Sequence, residues 1–144
     1  MPVQLKRIYD PASRGDGYRV LVDRLWPRGL SKETAGVDLW LKDIAPSDRL
    51  RKWFHAHPVQ WPAFRQKYLK ELGEAEALQA LNELHGVVAK RKAVTLLYAS
   101  KNLDRNNAVV LKELLDGMRK PPRSTGPAGA VAAKVPRRAQ AGKR

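Results

Sequence analysis

The run Val20-Leu21-Val22 is the feature that most constrains this chain. Successive strand side chains point to opposite faces. Three consecutive aliphatic residues therefore need cover on both faces, as in a central strand of a parallel sheet. The run lies in a strand expected over residues 19–25. Trp26-Pro27-Arg28-Gly29 closes that strand, because Pro27 disfavours helix at Trp26 and Gly29 permits a turn.

Three further strands are expected. Residues 5–9 form a short one, ended by Asp10-Pro11 and the turn material through Gly17. Val37, Leu39 and Leu41 alternate with Asp38, Trp40 and Lys42, the period of a strand. Residues 93–99, AVTLLYA, give the clearest strand signal. Helical stripes lie between the third and fourth. One has Ser47 as its cap, Asp48 at its positive end, and Leu50, Trp53 and Phe54 on one face. The next carries Trp61, Phe64, Tyr68 and Leu72, and a third runs over about 74–88. A last helix, capped by Asp104 or Asn106, buries Ala108, Leu111 and Leu114 or Leu115. Strands separated by helices predict an α/β fold: one small layered domain with a mainly parallel sheet of about four strands flanked by helices. Strand order is left open.

Charge divides the chain. Lys and Arg number 28 against 14 Asp and Glu, a net of +14. Residues 119–144 hold Arg119, Lys120, Arg123, Lys134, Arg137, Arg138, Lys143 and Arg144 with no acid. The preceding 118 residues keep 20 bases and all 14 acids, a net of +6. The terminal segment is also rich in Pro and Gly and almost without large aliphatics, so a disordered tail is expected beyond a folded domain of residues 1–118. The absence of Cys excludes disulfides, thiolate metal sites and a thiol nucleophile. No run of 18 apolar residues is present, and residues 1–7 lack the apolar stretch of a secretory signal, so the expectation is a soluble cytoplasmic protein without a membrane partner.

The segment from Arg19 through Asp23-Arg24-Leu25-Trp26-Pro27-Arg28-Gly29-Leu30-Ser31-Lys32 resembles the signature of the YeaO-like branch of domain-of-unknown-function family 488. So do Trp40-Leu41-Lys42 with Ala45-Pro46-Ser47, Leu50-Arg51-Lys52-Trp53-Phe54, and Leu96-Leu97-Tyr98-Ala99 with Lys101. The resemblance runs from about residue 4 to 118 and leaves the basic tail outside. It implies a fold and candidate positions rather than a reaction. The family's last helix typically opens Asn-His-Ala, where this chain has Asn106-Asn107-Ala108. A role that needs a titrating ring nitrogen therefore does not carry over to position 107. Distant branches place a Cys/Glu/Cys-His-Arg set here, and this chain has none of that thiol chemistry.

Two loops concentrate candidate site residues, each at the C-terminal end of a strand, where open parallel sheets bind ligands. In the first, Asp23 and Arg24 are the candidate catalytic pair. Arg19, Arg28 and Lys32 join them as anion-binding residues, since the guanidinium fork suits phosphate or carboxylate. In the second, Lys101, Asn106 and Asn107 lie before a helix N-terminus that favours anions. The plainer readings are a structural Asp–Arg pair and ordinary helix capping. Trp53, Phe54, Trp61, Phe64 and Tyr68 read as core, and His55 and His57 have no clear third ligand. No metal or cofactor is expected: neither a phosphate-binding glycine loop nor a hydrolase elbow is present.

These residues imply a basic crevice for a phosphate- or carboxylate-bearing small molecule, with enzymatic turnover left open. Two alternatives stand beside it. The eight tail bases suit non-specific nucleic acid, with a salt slope as steep as roughly −7 if all contact phosphates. The other is a non-catalytic interaction domain with a degenerate site.

Overall fold

The structure is a computed structural model that describes residues 3–118. The tail expected over 119–144 lies outside the described residues.

Four strands form one sheet: β1 (Val3–Arg7), β2 (Tyr18–Leu21), β3 (Leu39–Trp40) and β4 (Val94–Tyr98). Their order across the sheet is β1-β4-β2-β3, and all three pairings are parallel. The fold class follows the expectation, and the order left open is now fixed. Residues 20–22 are fully buried, with β2 and β4 as the two central strands.

Element edges moved where side chains took over from backbone pairing. The second strand stops at Leu21 instead of residue 25, because Asp23 and Arg24 leave the ladder to bind neighbouring loops. The third shrinks to Leu39–Trp40 as Lys42–Ile44 tightens into a 3-10 turn, with the Ala45 N–H bonded to the Lys42 carbonyl.

Five helices complete the described residues: α1 (Lys32–Ala35), α2 (Asp48–Ala56), α3 (Trp61–Glu71), α4 (Ala75–Lys90) and α5 (Asn107–Met118). Ser47 caps α2 through a bond from the Leu50 N–H, as its position before Asp48 predicts. Ser47 is itself held by the Glu71 carboxylate, which accepts from its N–H at 2.8 Å and its hydroxyl at 2.6 Å.

The two sheet faces differ. One buries Val3, Val20, Val22, Val94, Leu96 and Tyr98 against Leu50, Phe64, Tyr68, Leu81, Leu84, Val88, Leu111 and Leu115. The aromatic stripe is core here: Phe54 stacks on Phe64 at 4.3 Å, and the buried Tyr68 hydroxyl donates to the Ile44 carbonyl at 2.6 Å. The other face holds a smaller apolar cluster of Ile8, Leu21, Ala35 and Leu97, with Trp26 and Trp40 edge-to-face at 5.3 Å. Towards the N-terminal end of this second face sits a polar network, Lys6–Asp16–Arg19, in which Asp16 and Arg19 are both buried.

Candidate functional site

The sheet order makes neighbours of the two candidate loops, since β2 and β4 lie side by side. Asp23 follows β2 and binds across to the loop after β4. Its Oδ2 accepts from the Ala99 N–H at 2.8 Å, and its Oδ1 from the Asn107 side-chain amide at 3.2 Å. The same Asn107 amide donates to the Val22 carbonyl at 2.8 Å. The Asp23 carbonyl accepts from the Trp40 indole at 2.7 Å. Asp23 and Asn107 thus form a clasp between the strand ends and the first residue of α5. Burial pushes the Asp23 carboxyl above the usual carboxylate range, against the Ala99 N–H, the Asn107 amide and the nearby Arg51 charge, which all pull it down.

The clasp carries a stability consequence with a definite sign. A carboxyl whose native pKa is raised favours the folded state most at low pH, and that contribution fades as pH rises through the unfolded value near 3.9 towards the native value. Asp23→Ala is nonetheless expected to destabilise at pH 7 by about 1–3 kcal/mol, because it leaves the Ala99 N–H unpaired. Asp23→Asn, which retains an acceptor, is expected to cost less. Urea unfolding of both variants checks the ranking.

The other candidates separate. Arg24 turns from Asp23 towards the end of the Lys42–Ile44 turn, donating to the Pro46 and Ala45 carbonyls at 3.2 and 3.1 Å. Arg19 is not brought to this edge. It lies early in β2, ion-paired with Asp16 and donating to the Gly36 and Ala35 carbonyls, each at 2.9 Å. Asn106 is buried and caps α5, its Oδ1 accepting from the Val109 N–H at 3.1 Å.

Arg28, Lys32 and Lys101 remain exposed, as does Arg105, and none of their side chains has a hydrogen bond or ion pair among the described residues. Their loops are stitched together. Arg7 at the end of β1 donates to the Ser100 and Ala99 carbonyls at 2.9 and 3.0 Å, and the Tyr9 hydroxyl donates to the Arg28 carbonyl at 3.0 Å. The strand ends thus form a ledge edged by free bases, with Tyr9, Leu25 and Leu103 exposed beside them.

Sequence reasoning missed Asn102. Its Oδ1 accepts from the Asp104 and Arg105 N–H groups, both at 2.9 Å, and so sets the loop before α5. An Asn two residues before an Asp is the local turn signal that carries this. Two clefts of about 440 Å³ lie on the β3 side of the sheet, between the β3 edge and α4 and beside the α3–α4 junction, and both are rich in acids.

A parallel α/β domain whose strand-end Asp is clasped to the opening of the last helix is the class these observations define. The chain belongs to the family described as the inactive DUF488-N3 subclade, which matches residues 2–127. It is 49% identical over 115 residues to the "Uncharacterized protein YeaO" of Escherichia coli (strain K12), covering 80% of this chain and 97% of that one. The "Uncharacterized protein Rv3073c" of Mycobacterium tuberculosis (strain ATCC 25618 / H37Rv) is 41% identical over 115 residues, covering 80% and 94%. The "Uncharacterized protein Mb3100c" of Mycobacterium bovis (strain ATCC BAA-935 / AF2122/97) has the same identity and coverage. No solved structure matches the chain. No described helix is long and apolar enough to cross a membrane.

Proposed function

We propose that this chain is a non-catalytic domain that binds a phosphate- or carboxylate-bearing ligand on the strand-end ledge. The observation that carries the reading is the set of exposed, unpaired bases Arg28, Lys32, Lys101 and Arg105 on loops tied together by hydrogen bonds. Fixed loops lower the ordering cost of binding an anion, and Arg offers two parallel donors to it.

Three points support binding without turnover. Both Asp23 carboxylate oxygens are already engaged, and the Arg24 guanidinium is spent on backbone carbonyls. The family description itself reads "inactive". Asn107 adds no proton-transfer group, since an amide does not titrate near neutral pH.

Thermal unfolding of the full chain with pyrophosphate tests this reading. A 100-fold excess over the dissociation constant adds about 2.7 kcal/mol of stability, so the melting temperature is expected to rise. Arg28→Gln with Lys101→Gln, both exposed and unpaired, is expected to leave the ligand-free melting temperature unchanged and to remove the rise. An unshifted wild type, or a double variant that still responds, would overturn the proposal. A rise with a DNA oligonucleotide but not with pyrophosphate would instead favour the nucleic-acid reading of the basic tail.

A further inference from the structure

The sheet ends at β3, only two residues long, and beyond it lies a groove against α4. Edge strands offer unpaired backbone groups to an extended peptide. The two clefts share Asp43 and Glu76 and so run on from one another. Together they gather Asp43, Glu71, Glu74, Glu76 and Glu83, five of the chain's 14 acids. The bases lining them are Arg24, committed to carbonyls, and Lys42, seated over the Trp40 ring at 4.4 Å. Glu71 is occupied by Ser47. The side chains of Asp43, Glu74, Glu76 and Glu83 form no ion pair or hydrogen bond among the described residues. A chain of net +14 thus keeps a net acidic groove, five acids against two bases, along its sheet edge.

We infer that this groove receives the chain's own basic segment, residues 119–144. Three considerations select that occupant over a foreign one. The segment carries eight bases and no acid, the complement of the groove. It starts where α5 ends, and α5 packs on β1 and β4, with β3 two strands beyond β4. The end of α5 is offset from the groove by two inter-strand spacings, about 10 Å, and by up to the length of the twelve-residue helix, about 18 Å, a span of about 21 Å that a 26-residue tether can cover. Covalent attachment also supplies a local concentration on the order of millimolar, so weak contacts suffice. The contact is mainly electrostatic.

The lack of Cys allows a clean test. A nitroxide on Ala139→Cys in the isotope-labelled full chain is expected to broaden the amide signals of residues 39–43 and 76–83 at low salt. The signals should recover at about 1 M salt, where the Debye length falls to about 3 Å. Adding Glu76→Gln and Glu83→Gln to the spin-labelled chain should remove at least half of the broadening. Broadening spread evenly over the domain, centred elsewhere, or unchanged by salt would overturn the inference. So would broadening of an unlabelled-spin, isotope-labelled copy mixed with a spin-labelled one, since the tail would then serve a second molecule.

Discussion

Asp16→Ala is expected to destabilise the domain by about 3–5 kcal/mol, the range for removing one partner of a buried ion pair. Asp16 is 2% exposed and Arg19 5%. The carboxylate accepts from Lys6 at 2.8 and 3.1 Å, from the Ser13 N–H and hydroxyl at 3.0 Å each, and from the Arg19 guanidinium. Its backbone carbonyl takes the buried Thr95 hydroxyl at 2.6 Å. Without the carboxylate, Arg19 keeps a full charge in a largely buried site, with only the Gly36 and Ala35 carbonyls as acceptors. The network also fixes an acid limit. Burial alone would raise the Asp16 pKa, but the bonds from Lys6, Ser13 and Arg19 hold it well below the usual carboxylate range. A depressed carboxyl contributes its stability above the unfolded value near 3.9 and loses it as pH falls towards the native value. Denaturant unfolding is therefore expected to show wild-type stability falling below about pH 4, with the variant flatter through the same window.

Gly17→Ala is expected to be at least as damaging, more than about 3 kcal/mol, through backbone geometry rather than charge. Gly17 has φ +66°, ψ −134°, a conformation essentially confined to glycine. A Cβ there would lie 2.3 Å from the Ala93 carbonyl oxygen and 2.7 Å from the Ala93 Cβ. That carbonyl accepts from the Tyr18 N–H at 3.0 Å, the bond that starts β2 beside β4. The methyl group thus strikes the first contact between the two central strands. Loss of soluble folded protein, or a large drop in the urea midpoint, is the expected result. A variant as stable as the wild type would show that the strand start tolerates a shift this account excludes.

How far the sequence carried the reading depended on the kind of signal. Val20-Leu21-Val22 demanded a two-sided strand, and β2 is central; Ser47 before Asp48 demanded a helix start, and α2 begins there. Strand order was not legible, because it rests on contacts between segments over 70 residues apart, such as Asp23 with Ala99. The loops at residues 23–32 and 100–107 were singled out from their residue types, and the structure ties them together at the strand ends. What each residue does there was not legible. Arg19 and Arg24 look alike in sequence, but alternation sends Arg19 to the Asp16 network, while Arg24 leaves the ladder to hold the Lys42–Ile44 turn. The acids of the β3–α4 groove are scattered over residues 43–83 and gave no motif at all.

The central claim is that the strand-end ledge binds an anion and Asp23 serves structure. An amide-resolved titration of the full chain with pyrophosphate tests it most directly. The account predicts saturable shifts at residues 28–32 and 101–105, with the Ala99 amide, held by Asp23, keeping its hydrogen-bonded position and no pyrophosphate consumed. Shifts confined to residues 119–144, or hydrolysis lost in Asp23→Asn, would contradict it.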